Sequence, residues 1–140
     1  MTLLSSGLPD RIGDDEDLAR FLTQRGHFTK QRVDPSAFLP SKKDRETSVS
    51  RHGREPLDSL RALGLDAAGG RTLYGAAIFK ARDVGVASLQ IVPDEPPPRH
   101  AVIRGWPWID GDPEEQKARQ KALALVLTSA AGEPLLFVSR

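Results

Sequence analysis

The stretch Pro97-Pro-Arg-His-Ala-Val-Ile-Arg-Gly-Trp-Pro-Trp108, with the helical pattern that follows it as far as Gly132, decides the fold of this chain. Within it, His100, Val102 and Arg104 alternate with Ala101 and Ile103, which we interpret as the period-two pattern of a half-buried strand. The strand ends at Gly105 and Pro107, because proline has no N–H to donate to a neighbouring strand. We therefore predict a short strand that leads into a long helix.

The helix is predicted to begin after Asp112, which has the side chain of a good N-cap. Pro113 fits the first helical position, and Glu115 lies three residues after the cap, as in a capping box. Apolar residues then recur at helical spacing until Gly132, a residue typical of a helix end. The following segment, 134–138, is predicted to be a short buried strand in the same sheet as residues 100–104.

Working outward from this unit, the rest of the chain predicts further short elements joined by turns. The predictions are a helix from Asp14 or Asp15 to Gly26, strands at 47–51, 73–79 and 86–92, and a helix from Glu55-Pro56 to about Gly64. Most strands follow one another without an intervening helix, which favours an α+β fold. We expect a mainly antiparallel sheet of about five short strands packed against about three helices, the longest near the C-terminus. Residues 1–13 are predicted to be a loose N-terminal leader, and 14–140 a single α+β domain.

The composition narrows the class of protein. The chain has 140 residues and a formal net charge of +1, so charge alone does not indicate nucleic acid or an acidic membrane as partner. It contains no cysteine, which excludes disulfides, thiol catalysis and cysteine-based metal sites. No segment has the ~20 apolar residues of a membrane helix or the pattern of a signal peptide. We expect a cytoplasmic protein without a membrane contact, a metal or a cofactor.

Both tryptophans fall in the loop after the predicted strand. Trp is enriched at protein interfaces, and the flanking Pro and Gly residues favour a position near the surface. The alternative is that one indole closes the end of the core. The predicted contact surface consists of Arg99, His100, Arg104, Trp106 and Trp108.

The segment 25–54 carries the one clear charge asymmetry, with eight basic and three acidic residues. Basic side chains in such a run can contact phosphates of nucleic acid. Arg51, Lys42, Lys43 and Arg45 are its candidate contacts. The alternative is a solvated loop, because the segment has no recognisable nucleic-acid-binding motif.

His52 and His100 each adjoin an arginine on a predicted strand or at its end. Two imidazoles beside a cation could act as general acid and base on a phosphodiester without a metal. The alternative is that both make ordinary hydrogen bonds at strand ends. The usual two-histidine phosphoesterase pattern has Ser or Thr two residues after each His, whereas this chain has Arg54 and Val102 there.

The segment Pro97-Pro-Arg-His-Ala-Val-Ile-Arg-Gly-Trp-Pro107 and the alanine-rich helix after it resemble a group of small uncharacterised bacterial proteins. These share a Pro-Pro-x-His-Ala-x-Ile-x-Gly-Trp-Pro segment, and residues 71–77 and 92–94 are similar too. Trp108 departs from the pattern by adding a second aromatic residue. The resemblance implies a bacterial origin and no particular activity.

Together these features predict a small bacterial binding or accessory protein that acts through its Trp/Arg/His surface in a larger assembly. Its expected partner is a protein. The alternatives are a metal-independent phosphodiester-cleaving enzyme, acting as a nuclease or cyclic phosphodiesterase, and a nucleic-acid-binding protein. No reaction signature is present, so the sequence leans away from an enzyme.

Overall fold

A computed structural model describes residues 2–52 and 55–137 of the chain. The α+β prediction is confirmed: six strands form one antiparallel sheet, three α-helices pack on it, and the longest helix lies near the C-terminus. The strands are β1 Asp17–Leu22, β2 Thr47–Arg51, β3 Gly75–Lys80, β4 Gln90–Pro93, β5 His100–Arg104 and β6 Leu135–Leu136. The helices are α1 Leu57–Ala68, α2 Ala81–Val86 and α3 Pro113–Ala131, with short 3₁₀ helices at Arg25–His27 and Pro35–Phe38.

The strand order is β4-β5-β2-β1-β3-β6, so β1 and β2 lie in the middle of the sheet. Ala19 of β1 pairs with Ser50 of β2, and Ser50 pairs with His100 of β5. Residues directly opposite in a sheet point to the same face, so these three side chains share one face. The register therefore brings residues that are far apart in the chain next to one another on this face.

One face of the sheet, the closed face, is covered by α2, α3 and the second 3₁₀ helix. Leu18, Phe79 and Ile103 from the strands join Phe38 and Leu127 in the main apolar cluster, all almost completely buried. On this side of the sheet, α3 packs against β3, α2 and the second 3₁₀ helix.

The other face, the half-open face, is covered by α1 over β1 and β3. Leu60 of α1 packs there against Ala19 and Ala76. A Cβ at Gly64 would lie 2.8 Å from side-chain atoms of Leu73 and Phe21, so only glycine allows α1 to come this close. The prediction that the helix stops near Gly64 is therefore wrong: this glycine serves close packing, and the helix continues to Ala68.

The helix predicted from Asp14 or Asp15 to Gly26 is also wrong, because residues 17–22 form β1. Leu18 and Leu22 pack in the main cluster of the closed face, whereas Ala19 and Phe21 pack in the cluster beneath α1. A central strand that is buried on both sides has no clear alternation, so its apolar spacing resembles that of a helix.

The strand predicted at 86–92 is confirmed only from Gln90, where β4 begins, because Val86 ends α2. The Asp83 carboxylate accepts a hydrogen bond from the Lys80 N–H at 2.9 Å and so fixes the start of α2. Ser88 then takes a positive φ of 61° and turns the chain into β4. The alternation of residues 87–91 thus arises from the end of a helix, a turn and the start of an edge strand.

Several elements were predicted correctly. Residues 47–51 and 100–104 are strands, 75–80 form a strand close to the predicted one, and α3 spans 113–131. The Asp112 side chain accepts from the Glu115 N–H at 3.1 Å, as the capping pattern predicts. β5 and β6 belong to the same sheet, although Val138, within the predicted last strand, lies outside the described residues.

The N-terminal segment differs from the predicted loose leader. Ser5 and Ser6 donate hydrogen bonds to the Glu95 carboxylate, at 3.0 Å from Ser5 Oγ and 2.6 Å from Ser6 Oγ. The Pro9 carbonyl accepts from Arg51 at 2.7 Å, and Ile12 packs against the main cluster. These contacts attach the segment to the domain. Among the described residues, no helix combines the length and apolar character needed to cross a bilayer.

Candidate functional site

The half-open face carries a cleft of about 430 Å³, which we call the sheet cleft. It crosses β1, β2 and the start of β5, beside the C-terminal end of α1. Its polar lining includes Arg20, Ser48, Ser50, Asp66, Arg71 and His100. Its volume falls within the range of roughly 300–1,000 Å³ typical of small-molecule sites.

Arg20 enters the sheet where β1 and β2 separate. The two strands pair at Leu18 with Arg51 and at Ala19 with Ser50, and the paired region ends there. Beyond this point the Arg20 side chain forms the hydrogen bonds instead. Its Nε donates to the Ala37 carbonyl and its Nη1 to the Ser48 carbonyl, both at 2.8 Å. The guanidinium is therefore fixed in place by main-chain oxygens of two different elements.

No carboxylate of the described residues forms an ion pair with Arg20. Burial, together with the nearby positive charge of Arg71, lowers the pKa of Arg20 from its ordinary value of 12.5 to about 10. A partly buried cation beside another cation is costly unless an anion compensates it. The positive charge of Arg20 therefore has no counter-charge from the described part of the chain.

Arg71 stands just beyond the end of α1 and caps its last turn. Its Nε donates to the Ala68 carbonyl at 2.8 Å, and its Nη2 donates to the Ala67 carbonyl at 3.2 Å. Asp66 lines the same cleft but forms no ion pair with either arginine. Arg20 and Arg71 therefore share one arrangement: each is held by two carbonyl oxygens and keeps one terminal nitrogen without a hydrogen bond among residues 2–52 and 55–137.

His100 lies on the β5 side of the sheet cleft, directly opposite Ser50. Its Nδ1 is 2.8 Å from the Asp94 carbonyl oxygen and 3.3 Å from Asp94 Oδ2. Both neighbours are acceptors, so the proton of the neutral ring resides on Nδ1. Nε2 then carries a lone pair and can accept a hydrogen bond.

His52 follows β2 and continues the ladder, because its N–H donates to the Asp17 carbonyl at 3.3 Å. It is 7% exposed, and neither ring nitrogen has a hydrogen-bond partner in the described part of the chain. Burial lowers its pKa, with Arg99 contributing in the same direction. His52 does not line the sheet cleft. The predicted acid–base pair therefore consists of one histidine in the cleft and one closed off from solvent.

The two tryptophans are placed differently from each other. Trp106 is 4% exposed and donates its indole N–H to the Ile103 carbonyl at 3.3 Å. Its place in the predicted contact surface is therefore wrong, and the alternative that one indole closes the end of the core is confirmed. Gly105, with a φ of +95°, turns the chain so that this side chain enters the core. Trp108 is half-buried, and the Arg45 guanidinium lies 4.8 Å from its ring centroid.

The predicted basic contacts divide into exposed and structural residues. Lys42, Lys43 and Arg104 are exposed. Arg51 is 0% exposed and donates from Nε and Nη2 to the two oxygens of the Glu16 carboxylate at 2.5 and 2.7 Å. The expectation that Arg51 contacts a partner is therefore wrong, since its charge is already paired inside the fold.

Arg99 also has partners within the domain. It donates to the Glu55 carboxylate at 2.5 Å and to the Arg51 carbonyl at 3.2 Å. It is only partly exposed. Of the five predicted surface residues, the structure thus places His100 alone in the sheet cleft.

Sequence reasoning missed Arg20 and Arg71, which give the sheet cleft its charge. The available signal was a single arginine inside the apolar run Leu18-Ala-Arg-Phe-Leu22. Charged residues are seldom buried without a partner, so such a residue deserved a functional explanation. Arg71 had no comparable signal, because it follows the Gly69-Gly70 turn and looks like an ordinary surface residue.

Within the described residues, no group of three or more His, Cys, Asp or Glu side chains is placed to hold a metal ion. Comparison of the chain with protein-family models, with curated proteins and with solved structures gave no match. The chemistry of the sheet cleft is therefore argued from its own geometry.

Proposed function

We propose that this protein is a binding protein whose sheet cleft takes a small anionic ligand between Arg20 and Arg71. This keeps the binding role expected from the sequence and moves it from the tryptophan loop to the half-open face. Service as an accessory subunit of a larger cytoplasmic assembly is compatible with such a site and stays part of the proposal.

The observation that carries the proposal is the uncompensated guanidinium of Arg20. A cation that is largely withdrawn from water requires an opposite charge or a shifted protonation equilibrium. Arginine remains protonated at neutral pH even with a pKa near 10. An anion from outside the chain would supply the missing charge and would also relieve the repulsion between Arg20 and Arg71.

The hydrogen bonds of the two arginines support the same conclusion. Main-chain carbonyls already fix both guanidinium groups, so little side-chain freedom would be lost on binding. Arg20 Nη2 and Arg71 Nη1 keep N–H groups for a ligand. Charge-assisted hydrogen bonds from guanidinium to phosphate or carboxylate oxygens are among the strong ones in proteins.

Isothermal titration with inorganic phosphate, at constant ionic strength maintained with chloride, tests the proposal. Arg71→Gln should weaken phosphate binding about tenfold or more, the loss expected for one charge-assisted hydrogen bond of ~1.5–3 kcal/mol. Arg61→Gln is the matched control, since Arg61 is an exposed arginine of α1 that does not line the cleft. Equal phosphate affinities for the wild type and both variants would refute the proposal.

The two alternative functions have less structural support. A phosphodiester-cleaving pair needs both imidazoles at one substrate, and only His100 lines the sheet cleft. A nucleic-acid interface on 25–54 loses Arg51 to the pair with Glu16, and Arg25 contacts the Tyr74 hydroxyl at 3.1 Å.

A further inference from the structure

The sheet cleft has two walls of different chemistry. Arg71 and Asp66 stand at the C-terminal end of α1, which packs over β1 and β3. His100 belongs to β5, on the other side of β2 from β1. The wall that carries Arg71 and the wall that carries His100 are thus separated by the width of the central strands. Ser48 and Ser50 of β2 lie between the two walls.

The side opposite the arginines is neutral and rich in hydrogen-bonding groups. The Asp94 oxygens hold the proton on His100 Nδ1, so Nε2 is an acceptor. The hydroxyls of Ser48 and Ser50 make no hydrogen bond to another described residue. A hydroxyl can donate and accept, so this part of the cleft matches a ligand that carries hydroxyl groups of its own.

The size of the cleft also argues for more than an inorganic ion. A volume of about 430 Å³ exceeds what one phosphate would fill. Phe21 and Pro97 add apolar surface to the lining, against which the carbon skeleton of a ring can pack. Two guanidinium groups match a phosphate monoester, which has three acceptor oxygens and a charge of about −1.5 to −2 at neutral pH.

We infer that the ligand of the sheet cleft is a sugar phosphate, with the phosphate group between Arg20 and Arg71 and the sugar hydroxyls facing Ser48, Ser50 and His100. This inference rests on the proposed function and adds the ligand class to it. One sugar hydroxyl donates to His100 Nε2, and its neighbours exchange hydrogen bonds with the two serines. The apolar face of the sugar ring lies towards Phe21 and Pro97.

The test compares inorganic phosphate, ribose 5-phosphate and ribose by isothermal titration at constant ionic strength. The wild type should bind ribose 5-phosphate about tenfold or more tightly than phosphate, because each added neutral hydrogen bond contributes ~0.5–1.5 kcal/mol. Ribose alone should bind far more weakly than either.

Two variants on the side of the cleft opposite the arginines test where the sugar hydroxyls bind. His100→Phe removes the Nε2 acceptor. The affinity for ribose 5-phosphate should then fall close to the affinity for inorganic phosphate, while phosphate binding is kept. Ser48→Ala should reduce the ratio of the ribose 5-phosphate affinity to the phosphate affinity by a smaller amount. Because Ser48 is exposed, this variant remains informative if the histidine variant fails to fold. Ser59→Ala, an exposed serine of α1 outside the cleft lining, is the control.

The outcomes separate the inference from the proposed function. If phosphate binds and depends on Arg71 but ribose 5-phosphate binds no more tightly, the sugar-phosphate inference is overturned and the anion site stands. If the His100 and Ser48 variants keep the full preference for ribose 5-phosphate, the placement of the sugar is overturned. If neither anion binds, the proposed function itself fails.

Discussion

Two arginines on neighbouring strands occupy regions of opposite character. Arg51 of β2 lies on the closed face, fully buried, and donates to both oxygens of Glu16 as well as to the Pro9 carbonyl. Arg20 of β1 lines the sheet cleft and, among the described residues, donates only to the carbonyls of Ala37 and Ser48. The first charge is neutralised within the fold, and the second is not.

The difference shows how a structural and a functional cation can be told apart. A buried guanidinium with a bidentate carboxylate is fully satisfied and has nothing left to offer a ligand. A guanidinium oriented by neutral carbonyls keeps its charge and part of its hydrogen-bonding capacity. We therefore expect mutations around Arg51 to change mainly stability, and mutations around Arg20 to change mainly binding.

The largest expected change in stability concerns Arg51 on the closed face. Glu16→Gln leaves Arg51 buried without a counter-charge and should lower the free energy of unfolding by about 3 kcal/mol. Arg20→Met removes two hydrogen bonds together with an uncompensated charge, so it should change stability by only about 1 kcal/mol. Urea denaturation of both variants measures the contrast, and equal losses would contradict it.

His52 sharpens the comparison, because it is a buried polar group that has no hydrogen-bond partner among residues 2–52 and 55–137 and does not line the sheet cleft. Nothing compensates its withdrawal from water in the described part of the chain. His52→Phe should therefore raise the free energy of unfolding by about 1–2 kcal/mol at pH 8, where the ring is neutral. A loss of stability in urea denaturation would show that the imidazole has a partner after all.

The same residue predicts a pH dependence. Burial is the main cause that holds the pKa of His52 below its ordinary value of 6.5, and it does the same for His27. A histidine with a lowered folded-state pKa contributes stability that is complete above pH ~6.5 and is lost as pH falls below that value. The wild type should therefore lose stability as the pH falls below about 6.5.

Thermal denaturation of the wild type and His52→Phe across this range measures the effect. The variant should show a shallower decline, with His27 accounting for what remains. Asp34 and Glu95, whose pKa values are lowered by hydrogen bonds from serines, contribute only at more acidic pH, so they do not obscure this window. Parallel curves for the two proteins would contradict the role given to His52.

The smallest effect is expected far from both arginines. Asp112→Ala removes the side-chain cap of α3 and should cost about 1 kcal/mol of stability. Phosphate binding should be unchanged, because α3 covers the closed face. A change in phosphate affinity would mean that the two faces of the sheet are coupled, and it would weaken the separation drawn here.

The sequence predicts best those elements whose signals are local. β5 ends at the Gly105 turn, and α3 has its cap at Asp112 and its end at Gly132. β1 was mistaken for a helix because burial on both faces removes the alternation that identifies a strand. Trp106 was expected outside because the turn at Gly105 decides its direction, and that turn depends on the packing around it.

The candidate site was harder to foresee for a related reason. The register of β2 and β5 brings Ser50 and His100 together, and the end of the β1–β2 pairing at Ala19 allows Arg20 to line the same cleft. These residues are far apart in the chain, and no motif joins them. His100, which the sequence singled out, lines the sheet cleft, whereas His52, the partner suggested for it, does not.

The most direct test of the central claim is the effect of phosphate on the thermal stability of Arg20→Met and of the wild type, at constant ionic strength. A ligand that binds only the folded state raises the melting temperature in proportion to its affinity. We predict that phosphate raises the melting temperature of the wild type by several degrees and leaves that of Arg20→Met unchanged. An equal rise in both proteins would contradict the assignment of Arg20 as the anion-binding residue of the sheet cleft.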